Sequence, residues 1–234
     1  MKISGLQKVT LLDFPGLVAC TVFTAGCNLR CPFCQNASLV LPGQAPAELE
    51  TEELLAFLRK RQGLLDGVAV TGGEPLLHPE LPELLGQIRD LGYKIKLDTN
   101  GTLPDRLGRV LEAGLVDRVA MDIKNSPEKY PETVGVPGFD VAPVMDSAAL
   151  LMESGLAFEF RTTVVHPLHQ PEDFVRIGEW LRGDEEYYLQ QYTDAGEVIA
   201  PEGLGTWSRR AMESFSDTLR PYIPRVALRG LAEE

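Results

Sequence analysis

Three cysteines stand close together in the run Cys27-Asn28-Leu29-Arg30-Cys31-Pro32-Phe33-Cys34. The spacing CxxxCxxC on one short loop lets three thiolates grip a single compact metal centre. A fourth, Cys20, lies upstream within the apolar run Val18-Ala19-Cys20-Thr21-Val22-Phe23-Thr24, a context that suits a buried core thiol. No cysteine follows Cys34, which argues against a disulfide framework stapling distant segments. A structural zinc site would want a fourth protein ligand. His78, His166 and His169 are the only histidines, and none sits at zinc-finger spacing. A fully ligated [4Fe–4S] electron carrier would want four cysteines. Three ligands instead leave one iron of such a cluster open. An open iron can chelate the amino and carboxylate groups of S-adenosylmethionine (SAM) and deliver an electron to its sulfonium.

The elements that must position this loop repeat a simple unit of helix, glycine, short strand and polar loop. Apolar stripes of period near 3.6 predict six helices. They are carried by Leu54, Leu55 and Leu58, by Leu84, Leu85 and Ile88, and by Leu103, Leu107 and Val110. Val144, Ala148 and Leu151, then Phe174, Ile177 and Leu181, then Ala211, Phe215 and Leu219 mark the others. Gly63, Gly92, Gly114, Gly155 and Gly183 stand where left-handed caps end the first five. Strand-like runs begin at Val18, Asp66, Tyr93, Asp117, Ala157 and Glu186. Alternation of this kind implies right-handed βαβ crossovers and a parallel sheet. The expected fold is α/β, a partial (βα)6 barrel of TIM type, with a doubly wound sheet as the structural alternative.

Polar residues gather after the strands: Cys27 to Cys34, Gly72-Gly73-Glu74-Pro75, Asp98-Thr99-Asn100-Gly101 and Asp122-Ile123-Lys124. Arg161 lies within a strand and Gln190-Gln191-Tyr192 near the last. Ligands of parallel α/β folds bind at the carboxyl ends of strands, so these groups are expected to share one pocket. Asp98 and Asp122 could also merely cap loops, as aspartates commonly do. His78, before Pro79, is expected to begin a helix, and His166 and His169 flank a proline-containing loop that either faces substrate or lies on the surface.

CxxxCxxC with Phe33 before the last cysteine, followed by the Gly72-Gly73-Glu74-Pro75 turn, resembles the radical SAM superfamily. Within it the chain looks like activating enzymes of glycyl radical proteins, and most like those of anaerobic ribonucleoside-triphosphate reductase. Gly5 to Gly16, Phe23 to Asn28, Cys34-Gln35-Asn36, Asp98 to Gly101 and Met121 to Lys124 carry this likeness, which thins after about residue 200. The resemblance implies one [4Fe–4S] cluster on Cys27, Cys31 and Cys34, in a loop spanning 25–37. It implies that the Gly72-Gly73-Glu74 motif contacts the SAM amino group, and that Phe33, Asp98, Asn100, Asp122, Lys124 and Arg161 border SAM. A monovalent cation at Asp98, Thr99 and Asp122 is a further implication. So are a glycyl radical enzyme as partner and a flavodoxin- or ferredoxin-type electron donor. Some activases carry a histidine where this chain has Gln190 to Tyr192, so the adenine-side contacts depart from the pattern there. A radical SAM enzyme acting on a small molecule or peptide, and a non-catalytic iron–sulfur protein, are the alternatives.

The length of 234 residues suits one domain, 1–234, with 205–234 packing on the barrel as helix and tail. A net charge of −12 opposes a phosphate-binding footprint, so nucleic acid is not expected as a partner. No apolar run reaches bilayer length and no cleavable leader pattern is visible, so a cytoplasmic setting without membrane contact is expected. The loops Asn125–Phe139 and Thr193–Gly205 are expected to flank the cavity and admit a partner's glycine loop.

Overall fold

The structure, a computed structural model, describes residues 1–41, 49–183, 185–194 and 198–231. Numbered along the chain, the main strands are β1 (Gly5–Thr10), β2 (Ala19–Thr24), β3 (Gly67–Gly72), β4 (Lys94–Thr99), β5 (Arg118–Asp122), β6 (Ala157–His166), β7 (Glu186–Gln191) and β8 (Val226–Arg229). The main helices are α1 (Thr51–Arg59), α2 (Leu81–Asp90), α3 (Pro104–Glu112), α4 (Ala142–Glu153), α5 (Pro171–Trp180) and α6 (Arg209–Leu219). All six predicted strands and all six predicted helices are present.

Each strand from β2 to β8 lies parallel to its sequence neighbour, without reversal of order. A doubly wound sheet needs a reversal point, so the singly wound order decides for the open barrel. Two of these main strands go beyond the six expected, besides three two-residue strands at Lys2–Ile3, Leu49–Glu50 and Gly205–Thr206. β1 closes one edge antiparallel to β2, and β8 extends the other edge beside β7. The tail, expected only to pack on the barrel, therefore contributes a strand to the sheet.

Local chemistry starts the helices. Proline occupies the first turn of α2, α3, α4 and α5, where a missing N–H loses no helical bond. Reciprocal capping boxes open α1 (Glu50 with Glu53) and α5 (Gln170 with Asp173). Of the five expected capping glycines, only Gly183 lacks a positive φ. α2 buries Leu81, Leu84, Leu85 and Ile88, each contributing roughly 1.5–3 kcal/mol of apolar burial. No described helix is long and apolar enough to cross a membrane.

Strand side chains alternate between two faces. In β4, Ile95 and Leu97 join the apolar core, while Lys96 and Asp98 pair with each other inside the barrel. At the barrel's amino end, Glu159 is fully buried and receives Arg118 Nη2 at 2.8 Å and Arg229 Nη1 at 2.9 Å. Glu186 binds Arg118 as well, and Arg225 Nη2 at 2.5 Å. Arg229 also lies over the Tyr188 ring, 3.2 Å from its centroid. This network ties β8 to β5, β6 and β7.

Candidate functional site

The carboxyl ends of the strands surround one cavity of about 410 Å³. Cys27, Cys31, Phe33 and Cys34 form one wall. Gly72 and Gly73, then Asp98, Thr99 and Asn100, then Asp122, Lys124 and Arg161 complete the part foreseen from sequence. A larger groove of about 610 Å³ runs outside the barrel between α3 and α4, away from the cysteines.

The cysteine loop is held from several sides. Gly26 N donates to Leu39 O (2.7 Å), His78 Nε2 to Ala25 O (2.9 Å) and Arg30 Nη1 to Cys27 O (2.6 Å). His78 thus braces this loop and follows a short 3-10 turn; it does not begin α2. The two loops expected to admit a partner also grip the cysteine loop. Arg30 N donates to Val134 O (2.9 Å), Ala200 N to Pro32 O (2.9 Å) and Gln35 Nε2 to Thr193 O (2.6 Å). Within 125–139, Asn125, Ser126, Tyr130, Thr133 and Val134 are buried and none lines the cavity, so this loop supports the cysteines from behind. Residues 195–197 of the second loop lie outside the described residues.

Burial pushes the Cys31 thiol up to about 12 and raises Cys27 as well, so only a strongly positive centre would hold them as thiolates. Leu29 N and Asn100 Nδ2 already point at Cys27 Sγ, at 3.4 and 3.7 Å. Among the described residues, no three His, Cys, Asp or Glu side chains are arranged to hold a single metal ion. Three thiols that line one cavity, with no fourth cysteine beside them among the described residues, fit a multi-iron cluster with an open corner. Cys20 is no fourth ligand. Thr21 and Phe23 face the cavity, so Cys20 faces the helices, fully buried, and burial pushes it to about 12.

The glycine turn is welded to this loop through backbone. Gly73 N donates to Thr24 O (2.9 Å) and Glu74 N to Gly26 O (2.8 Å). A Cβ on Gly73 would stand 1.9 Å from Gly26 O, which admits no side chain there. The Glu74 side chain turns away from the cavity. Its carboxylate is fully buried off the cavity wall and accepts from Leu76 N (3.0 Å), Thr99 Oγ1 (2.9 Å) and Asn100 N (2.7 Å). Burial pushes it up to about 7 against these three donors. Glu74 staples the end of β3 to the end of β4, and the backbone of Gly72 and Gly73 is what the motif shows to the cavity.

Opposite the cysteines lies a chain of paired charges. Lys96 Nζ meets Asp98 Oδ1 at 2.5 Å, and Arg161 Nη1 meets Asp98 Oδ2 at 3.1 Å. Arg161 also bonds Asp122 Oδ1 at 3.0 Å, and Lys124 Nζ bonds Asp122 Oδ2 at 3.0 Å. Burial opposes ionisation of Asp122, but Arg161 and Lys124 outweigh it and hold the carboxyl at about 2. The same carboxylates raise Arg161 and Lys124 against burial. With Thr99 committed to Glu74, the oxygens expected to hold a monovalent cation already serve protein groups. Lys124 is fixed through its backbone: its N–H donates to Tyr130 Oη (3.0 Å), and its carbonyl accepts from His169 Nε2 (2.8 Å). His169 is fully buried, not at the surface or facing substrate, and burial lowers its pKa.

Sequence reasoning missed Lys96, and with it Gln7, Asp13, Thr21 and Thr163 on the cavity wall. A signal existed: polar residues recur at every second position of β4 and β6, as in Lys96-x-Asp98 and Glu159-x-Arg161-x-Thr163.

A parallel barrel with a three-cysteine loop and a glycine turn at its carboxyl end defines a class, and residues 21–181 match the model of the radical SAM superfamily. The chain belongs to that family, which uses a [4Fe–4S] cluster and SAM. It is 28% identical to a protein of Methanocaldococcus jannaschii that is assigned by name as a glycyl-radical enzyme activating enzyme, over 81% of this chain and 79% of that protein. It is 31% identical to the AdoMet-dependent heme synthase of Methanosarcina barkeri, over 67% of this chain but 44% of the relative. Among solved structures, Streptococcus suis SuiB bound to its precursor peptide SuiA superposes with a TM-score of 0.70 at 15% identity. That match covers 90% of this chain and 48% of SuiB, and SuiB has also been captured with SAM.

Proposed function

We propose that this chain is an activating enzyme that generates a glycyl radical on a partner protein, with an anaerobic ribonucleotide reductase as that partner. The observation that carries this reading is the likeness to the M. jannaschii protein along most of both chains. Residues 1–234 would act as one catalytic domain in a cytoplasmic setting, reduced by a flavodoxin- or ferredoxin-type donor.

Cys27, Cys31 and Cys34 would hold the cluster. When bound, the cluster supplies one electron to SAM, giving methionine and a 5′-deoxyadenosyl radical that becomes 5′-deoxyadenosine on taking a hydrogen atom. The chain's own residues supply position and exclusion of water. The backbone of Gly72 and Gly73 offers a shelf for an ammonium group. Asp98, Asp122, Lys124 and Arg161 hold their charges in fixed places by mutual bonding, and Asn28 and Thr102 fix the Asn100 carboxamide, so little reorganisation accompanies the reaction. Phe33 shields the cysteine side. No side-chain acid or base is needed to remove a hydrogen atom.

The test is anaerobic reconstitution, reduction, and incubation with SAM and the anaerobic ribonucleotide reductase of the same genome. A doublet glycyl EPR signal on the reductase, with matching 5′-deoxyadenosine and none from Cys31→Ala, is expected. 5′-Deoxyadenosine without a glycyl radical would refute the activase reading and leave the family chemistry standing. The heme synthase likeness favours a second reading, a small-molecule substrate, which predicts that outcome.

A further inference from the structure

Thr163 and Gln190 are register partners on β6 and β7, and both line the cavity. Side chains of directly paired strand residues stand about 5 Å apart, so the hydroxyl and the carboxamide form one polar pair. Neither side chain has a hydrogen-bond partner among the described residues. Across the cavity, Gln7 of β1 donates to Val9 O at 3.2 Å, and its side-chain oxygen is without a partner there. The charged groups differ: Lys124 and Arg161 are both held by Asp122, and Arg161 by Asp98 as well.

We infer that Thr163 and Gln190, with Gln7 opposite, form the substrate subsite, and that it takes the backbone amides of a polypeptide beside the reacting glycine. This rests on the activase reading and deepens it. Glycine offers no side chain to read, so recognition falls on its flanking N–H and C=O groups. A carboxamide both donates and accepts, and so does a hydroxyl, which matches an amide bond in either orientation. A phosphate- or carboxylate-rich small substrate would instead require uncommitted cations. The cavity's described cations are engaged by carboxylates, and releasing one would strand a buried charge.

The test uses the reconstituted holoenzyme and a synthetic peptide carrying the glycine-loop sequence of an anaerobic ribonucleotide reductase, with its glycine dideuterated. Deuterium arriving in 5′-deoxyadenosine reports abstraction. Gln190→Leu and Thr163→Val, the second nearly isosteric, should each raise the peptide KM about tenfold, one lost hydrogen bond. In Thr163→Val the SAM KM should move by much less, a split that general damage to the barrel would not give. Deuterium transfer by the parent enzyme with peptide KM unchanged in both variants, or with SAM KM rising in parallel in Thr163→Val, overturns the subsite while the activase reading stands. Deuterium arriving from a labelled nucleotide or tetrapyrrole carboxylate and not from the peptide overturns both.

Discussion

The barrel holds two clusters of paired charges, and they differ in what lies beside them. At the carboxyl end, Lys96, Asp98, Arg161, Asp122 and Lys124 form a chain whose far side is the cavity. At the amino end, Arg118, Glu159, Glu186, Arg225 and Arg229 form a similar chain, and none of these residues lines that cavity. The charge balance is the same, three cations to two carboxylates in each. The lower cluster gives its capacity to locking β8 onto its neighbours, and the upper one presents an ordered field to whatever occupies the cavity. Charge balance thus says little about role in this barrel; the end of the strand on which a charge sits says much more.

Removing one cation from each cluster separates the two. Arg161→Met should lower SAM cleavage by about a hundredfold, because Asp98 and Asp122 lose their shared anchor and the site loses its geometry. It should also destabilise the fold by about 3–5 kcal/mol, the usual consequence of stranding a buried charge. Arg229→Met should remove about 2–3 kcal/mol by denaturant titration, since Glu159 keeps Arg118, while the SAM KM stays within about twofold. A comparable loss of SAM affinity in both variants would erase the distinction.

Acid supplies a smaller and sharper contrast. Asp122 is depressed from an unfolded value near 3.9 to about 2, so its contribution is complete above about pH 4 and lost as the pH falls toward 2. Asp122 keeps 30% of its side chain exposed to the cavity, which limits the effect to about 1–2 kcal/mol. In metal-free protein, the stability gap between parent and Asp122→Asn should shrink by that amount between pH 5 and pH 2.5. A gap that is flat with pH would show that the upper pairs do not hold Asp122 ionised.

Much of this was legible in the sequence. Helix periods and glycine stops located every βα unit, because amphipathic spacing is a local property of the chain. The cysteine loop and strand-end residues were equally visible, since their types are rare and their positions follow the strands. What escaped were relations across space. The Glu74 side chain is a staple, and only the fold shows that Thr99 and Asn100 close over it. His169 looked like loop chemistry and holds a lysine backbone from the interior. β8 escaped because Val226–Arg229 is four residues long and too short to show a period.

The contact between Gly73 and Gly26 bears on how this site could be transplanted or re-engineered. Two loops from different strands meet there with no side chain between them, at a distance that a single methyl group would destroy. The cysteines and the glycine turn therefore form one mechanical part. A designer who grafts the cysteine loop onto another barrel must carry the turn with it. A mutation meant to tune one half will register in the other.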